Sequence, residues 1–227
     1  ELHDRASSTE LDERIEGSSA RRRELFAGEA TGGEGAQRFT HGTNRTISRR
    51  PPPVADSWLA RDDAHSLCLW CTAMNHIDGG PGWIIDGKTL LPRIVDPEEF
   101  RRSLADDPLR EGIEALWSGR PDEAAELIEG HEPTFRTRAL KADCLRDQGE
   151  LDLAIAEYRE LIDECAGTAW EAVMRQHLGK ALFSASRFTE AGEQFAEALR
   201  LREDAGADQD LLTSSHYALR VAELAMA

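Results

Sequence analysis

Thr168–Glu203 reads TAWEAVMRQHLGKALFSASRFTEAGEQFAEALRLRE. Val173, Leu178 and Ala181 fall five and three residues apart with Leu182 adjoining, and Phe188, Ala191, Phe195 and Ala198 fall three or four apart with Leu199 adjoining. That period places one apolar stripe on each of two helices. A tight turn is expected to join them, so the stretch folds back on itself as an antiparallel hairpin. Gly179 and Ala191 are small enough to let the two backbones approach, with Leu182 and Phe195 filling the space on either side.

The same phase recurs upstream. Residues 140–164, LKADCLRDQGELDLAIAEYRELIDE, offer Ala142, Leu145, Gly149, Leu151, Ala154, Tyr158 and Leu161. Residues 111–128, EGIEALWSGRPDEAAELI, offer Gly112, Ala115, Gly119, Ala124 and Ile128. The matching alanines Ala124, Ala154 and Ala191 stand 30 and 37 residues apart. The shorter interval is assigned to a second helix cut at Gly130 and Pro133, the longer to an extended loop near Gly167. Together these residues resemble the tetratricopeptide repeat (TPR), a helix–turn–helix unit of about 34 residues, over roughly residues 107–205. Two positions depart from its usual pattern: Glu203 replaces the proline after the second helix, and Lys141 stands where a buried leucine is common.

The resemblance implies a mostly α fold, an α-solenoid of antiparallel hairpins whose first helices line a partner-binding groove. By the same resemblance the groove positions are Leu109, Ile113, Arg136, Asp143, Arg146, Val173, Gln176, Lys180 and Phe183. Arg136, Arg146 and Lys180 are suited to the carboxylates of an acidic protein or peptide partner; alternatively they balance Asp143, Asp147 and Asp152 within the domain. The clamp by which some TPR domains hold chaperone tails needs Lys and Asn where Leu109 and Ile113 stand here, so that mode is not expected. DQDLLTSSHYALRVAELAMA closes the chain as a capping helix, with Asp208 or Asp210 at its start and Leu212, Tyr217, Val221 and Leu224 facing the last repeat.

Composition narrows the partners. The 227 residues carry a net charge of −16. Residues 1–53 hold nine Arg and nine Asp or Glu, so the surplus acid lies in residues 54–227. An acidic surface repels phosphate backbones and anionic lipid at long range, which argues against nucleic acid as a partner of the folded part. No apolar run reaches about 18 residues, so no membrane span is expected. No secretory signal is read, and the four cysteines show no disulfide spacing; a reducing cytoplasm is the expected compartment. Arginine far outnumbers lysine, whose only positions are Lys88, Lys141 and Lys180, a composition typical of a GC-rich bacterial genome.

Three segments follow in order: residues 1–53, residues 54–106 and residues 107–227. The first is a flexible arm rich in Gly, Ser, Thr and Arg, with Arg21–Arg23 and Arg49–Arg50 as basic clusters ahead of a stiff Pro51–Pro53 linker. The second is a small α+β element covering the first repeat. Within it a helix is expected from Asp56 to His76, stopped by Gly79-Gly80-Pro81-Gly82. WIIDGKTLL then forms a hairpin about a two-residue Asp86-Gly87 turn. Asp96 caps a further helix with Pro97 at its first position. The third segment is the repeat domain with its capping helix.

His65, Cys68, Cys71 and His76 are the one cluster of metal-ligand types. Cys68 and Cys71 sit about 60° apart on a helix, which permits a shared face, but a single Cys-x-x-Cys pair does not specify zinc. Leu67, Leu69 and Trp70 make a buried helix the simpler account. There is no phosphate loop, no Gly-x-Ser-x-Gly and no His-Glu-x-x-His. The expected function is therefore a non-catalytic protein- or peptide-binding scaffold without cofactor. A zinc-binding or redox module at Cys68 and Cys71, and a nucleic-acid-associated regulator using the arginine-rich arm, are the alternatives.

Overall fold

Three short strands begin the described chain. A computed structural model describes residues 76–227, within the compact unit Ala73–Ala227. The arm over residues 1–53, the helix from Asp56 and the candidate ligands His65, Cys68 and Cys71 lie outside the described residues. Strands β1 (His76–Gly80), β2 (Trp83–Asp86) and β3 (Pro92–Ile94) form an antiparallel sheet in that order. His76 is thus an exposed strand residue rather than a helix end, and Gly79–Gly80 belong to β1 rather than to a stop. The reason lies in pairing: Ile77 stands opposite Ile85 and Asp78 opposite Ile84, so the Pro81-Gly82 turn joins two strands.

The β2–β3 connection also differs from the expected two-residue turn. It is a five-residue connection, 87–91, closed by Asp86 N–H on the Leu91 carbonyl and Leu90 N–H on the Asp86 carbonyl, both 2.9 Å. The Asp86 carboxylate accepts from the backbone of Lys88 and Thr89 at 2.9 and 3.1 Å, which removes those amides from any ladder. Leu90 then adopts φ 60° and is fully buried in the same core cluster as residues of the helices beyond. A left-handed leucine costs about 1–3 kcal/mol, and full burial of its side chain returns about 1.5–3 kcal/mol.

Eight helices follow among the described residues: α1 (Pro97–Ser103), α2 (Arg110–Trp117), α3 (Pro121–Glu129), α4 (Phe135–Asp147), α5 (Leu151–Cys165), α6 (Ala169–Ser184), α7 (Phe188–Asp204) and α8 (Gln209–Ala225). Asp96 caps α1 through the amides of Glu98 and Glu99, with Pro97 in the first turn. Thr134 caps α4 in a reciprocal box with Thr137, and Thr168 caps α6. Asp208 precedes α8 without a side-chain cap bond. No helix among the described residues is long and apolar enough to cross a membrane.

Helices α2/α3, α4/α5 and α6/α7 pack as hairpins, and one turn joins all three. In each, a residue in the left-handed region ends the first helix: Gly119 (φ 76°), Gly149 (φ 89°) and Ser186 (φ 58°). The next amide reaches back to the helix, Arg120 to Ala115, Glu150 to Leu145 and Arg187 to Leu182, at 2.9–3.0 Å. This is the Schellman-type stop that satisfies the last carbonyls of a helix. Hairpins also stack in sequence, α3 on α4, α5 on α6 and α7 on α8, while the first helices touch one another, α2 with α4 and α4 with α6. The extended loop expected near Gly167 is absent. Only Ala166–Thr168 joins α5 to α6, and the longer 37-residue interval is taken up by helix, since α3 has 9 residues and α5 has 15. Helix α2 meets β3, and Trp117 of α2 stacks on Trp83 (ring centroids 4.6 Å) and Phe100 (5.5 Å).

The small–large crossing read in the α6/α7 hairpin is present. A Cβ at Gly179 would lie 2.4 Å from the Phe195 ring, which is fully buried. At Gly192 the nearest atom would be Ala222 Cβ at 4.0 Å. Two alanine substitutions therefore carry opposite signs. Gly179→Ala is expected to destabilise by about 1–2 kcal/mol, overpacking outweighing helix propensity. Gly192→Ala is expected to stabilise by up to about 1 kcal/mol. Urea unfolding midpoints of the two variants check both signs.

Candidate functional site

Helices α4 and α6 meet through a polar layer. Ala139 and Ala142 of α4 are small and buried; one turn beyond Ala139, Asp143 meets Tyr158 of α5 and His177 of α6, while Arg146 turns back on Asp143 and Asp147 of its own helix. Arg146 pairs with Asp143 through one guanidinium nitrogen, and its Nε donates to Asp147 at 2.7 Å. The Tyr158 hydroxyl of α5 stands 2.7 Å from Asp143 Oδ1 and 2.8 Å from the Ala139 carbonyl. His177 Nδ1 of α6 stands 3.1 Å from Asp143 Oδ2. Asp143 is thus enclosed by three side chains.

Burial alone would raise the Asp143 pKa. The Arg146 charge and the contacts of His177 and Tyr158 outweigh it and hold the carboxyl well below its usual range. Burial pushes His177 below its ordinary value despite Asp143, so the imidazole is neutral and its Nδ1–H is placed to donate to the carboxylate. Burial raises Asp147. Cys144, beside this layer, is pushed up to about 12 by burial and by Asp143 and Asp147; its thiol stays protonated and is no nucleophile at neutral pH.

A second chain of polar groups runs from α7 through α8 to α6. Arg202 donates to Ser215 Oγ at 2.6 Å and to the Leu211 carbonyl at 3.1 Å, and Ser215 donates to Gln176 Oε1 at 2.9 Å. Arg202 is buried, has no carboxylate partner among the described residues, and burial lowers it to about 10. Gln176 Nε2 is buried without a hydrogen-bond partner. Lys180, one turn beyond Gln176, is 8% exposed. Burial lowers its pKa to about 8, with Arg146 and Arg202 adding to that and Asp143 and Asp147 opposing it.

Of the residues assigned to the groove, Asp143, Arg146, Gln176 and Lys180 come together here. Val173 and Phe183 stand half-buried on α6. Arg136 is apart from them: it forms a bidentate pair with Asp107 in the α1–α2 connection, 3.0 Å for one contact and 2.5 Å for the other. Leu109 and Ile113 are buried. Lys141 bonds Glu129 at 2.7 Å, which accounts for a lysine at a position expected to be apolar. Asp147 balances Arg146, whereas Asp152 is exposed and joins neither chain of polar groups.

Tyr158, His177, Arg202 and Ser215 were not singled out as site residues from sequence. Tyr158 reads as an apolar core position, and its hydroxyl leaves no periodic trace. Arg202 sits in RLRED, which reads as a solvated helix end until α8 covers it. Among the described residues no group of three or more His, Cys, Asp or Glu is arranged to hold a metal ion. Compared with known proteins, the chain matches no family model, no curated protein and no solved structure.

Proposed function

We propose that the chain is a TPR-like repeat protein, an α-solenoid scaffold that docks a protein or peptide partner without catalysis along the layer of first helices α2, α4 and α6. The observation that carries this reading is the contact of first helix with first helix across three hairpins built on one common turn. Such a layer presents successive helix faces side by side, a surface suited to an extended or helical peptide. Arg136 and Arg146 already have carboxylate partners within the chain, so any preference for an acidic partner falls to Lys180. The acidic composition supports a protein rather than a nucleic-acid partner in the bacterial cytoplasm.

Alanine at Arg136 or Arg146 would leave Asp107 or Asp143 buried and unpaired, so the test uses Val173 and Phe183 instead. A Val173→Gln/Phe183→Gln variant and a control, Leu153→Gln on the exposed side of α5, are first shown by thermal melting to be folded. Capture of a partner from native lysate is expected to fall about tenfold in the first and to be unchanged in the second. Equal capture by wild type and both variants removes the docking reading.

A further inference from the structure

Buried charges in proteins are paired, because an unpaired one loses its hydration without return. This chain obeys the rule at Arg136 with Asp107 and at Arg146 with Asp143 and Asp147. It breaks it twice in one place. Lys180 has no hydrogen-bond or ion-pair partner among the described residues, and Arg202 bonds only a serine hydroxyl and a backbone carbonyl. Gln176 adds a third unused donor, Nε2, while its Oε1 is held by Ser215, the same serine that holds Arg202. Gln176 and Lys180 stand one turn apart on one face of α6. Among the described residues, two donors with no acceptor, Lys180 Nζ and Gln176 Nε2, and a buried guanidinium with no anion are thus gathered between α6, α7 and α8.

The geometry points to an oxyanion site at this place, in which Lys180 Nζ and Gln176 Nε2 donate to the two oxygens of a carboxylate and Arg202 supplies the second positive charge behind them. Charge selects the class of ligand. Arg146, Lys180 and Arg202 carry three positive charges against two on Asp143 and Asp147, and His177 is neutral. One negative charge balances the layer, which suits a carboxylate, whereas a dianionic phosphate over-neutralises it beside two acidic side chains. The carboxylate can come from the end of a peptide chain or from an Asp or Glu side chain. The inference rests on the docking reading above, whose partner it makes an acidic one.

Only three lysines are present, so full-length protein labelled at lysine Cε gives three signals, and that of Lys180 is identified by its loss in Lys180→Met. At constant ionic strength, N-acetylalanine presents a terminal carboxylate and N-acetylglutamic α-amide a side-chain one; N-acetylalaninamide is the uncharged control and inorganic phosphate the dianion. The Lys180 signal is expected to shift saturably with one or both carboxylates, the stronger naming the source, and not with the amide. Gln176→Glu supplies the missing anion from within the chain. It is expected to melt higher than wild type and to bind the carboxylates at least about tenfold more weakly.

A Lys180 signal unmoved by both carboxylates, or moved equally by the amide, overturns the site. So does tighter binding of phosphate, or a Gln176→Glu variant that melts lower and binds as wild type does. An unmoved Lys180 alongside capture that depends on Val173 and Phe183 removes the oxyanion site and leaves docking in place. A saturable, carboxylate-specific shift without such capture supports the site and removes the docking.

Discussion

Asp143→Asn is expected to lower the stability of the folded chain by up to about 3–5 kcal/mol, the cost of breaking a buried ion pair by removing one partner, with Asp147 left as the one carboxylate on Arg146 among the described residues. Arg146 remains charged and enclosed, and Tyr158 and His177 lose the anion they face. Urea unfolding near neutral pH measures the loss; a cost below about 1 kcal/mol would show that water reaches the layer. The acid side carries a further signature. The folded pKa of Asp143 lies below its unfolded value, so its contribution is complete above about pH 4 and is lost as pH falls below that. His177 is also depressed in the fold, so its contribution is complete above about pH 6.5 and is lost as pH falls. Wild type is therefore expected to begin weakening near pH 6.5, and its advantage over Asp143→Asn to shrink only below about pH 4.

Lys180→Met, on α6 in the same polar region, is expected to do the opposite. The lysine pKa falls from 10.5 to about 8, and at about 1.36 kcal/mol per unit a charged Lys180 costs about 3 kcal/mol at neutral pH. Methionine matches the stem and carries no charge, so the variant is expected to gain on that order. The sign follows from the proton count. Between about pH 8 and pH 10.5 the unfolded chain holds a proton that the folded chain has released, so this group makes wild type more stable as pH rises through that window. Other groups titrate there too, including Cys144. The difference between wild type and Lys180→Met isolates the lysine, and that difference is expected to close as pH rises. A variant no more stable than wild type near neutral pH would mean that the ammonium is adequately solvated. Asp143 and Lys180 are both buried ions, yet one is expected to hold the fold and the other to burden it, because Asp143 is enclosed by donors and Lys180 bonds no acceptor among the described residues.

The helical hairpins were legible because period is a local property. Val173 to Leu182 and Phe188 to Leu199 declare two amphipathic helices without reference to anything distant, and Asp96-Pro97 declares a helix start from neighbouring residues alone. Gly119 and Gly149 mark stops for the same reason; Ser186, doing the same task, carries no such mark. What escaped was set by residues far apart in the chain. His76 to Gly80 reads as a helix end until Ile84 and Ile85 are seen beside it. Leu90 reads as part of a strand until the helical core is seen to receive it. Arg136 offers no sign of Asp107, 29 residues earlier. Within the candidate site the helix face was legible and the state of its charges was not. Asp143, Arg146, Gln176 and Lys180 fall together by repeat phase, but which of them are already satisfied depends on Tyr158, Arg202 and Ser215 arriving from other helices.

Leu90 has a consequence for the order in which the chain can assemble. The strands on either side of it leave the ribosome early, yet the residue at their loop is buried in a core cluster whose helical members run from Ala139 to Ala222. Until most of those helices have emerged, the left-handed turn at Leu90 has its cost and no compensating burial. The β2–β3 loop therefore closes late, as a latch that sets once the helices behind it are in place. A nascent chain arrested before α4 would present that leucine to solvent and to whatever chaperones attend the exit tunnel.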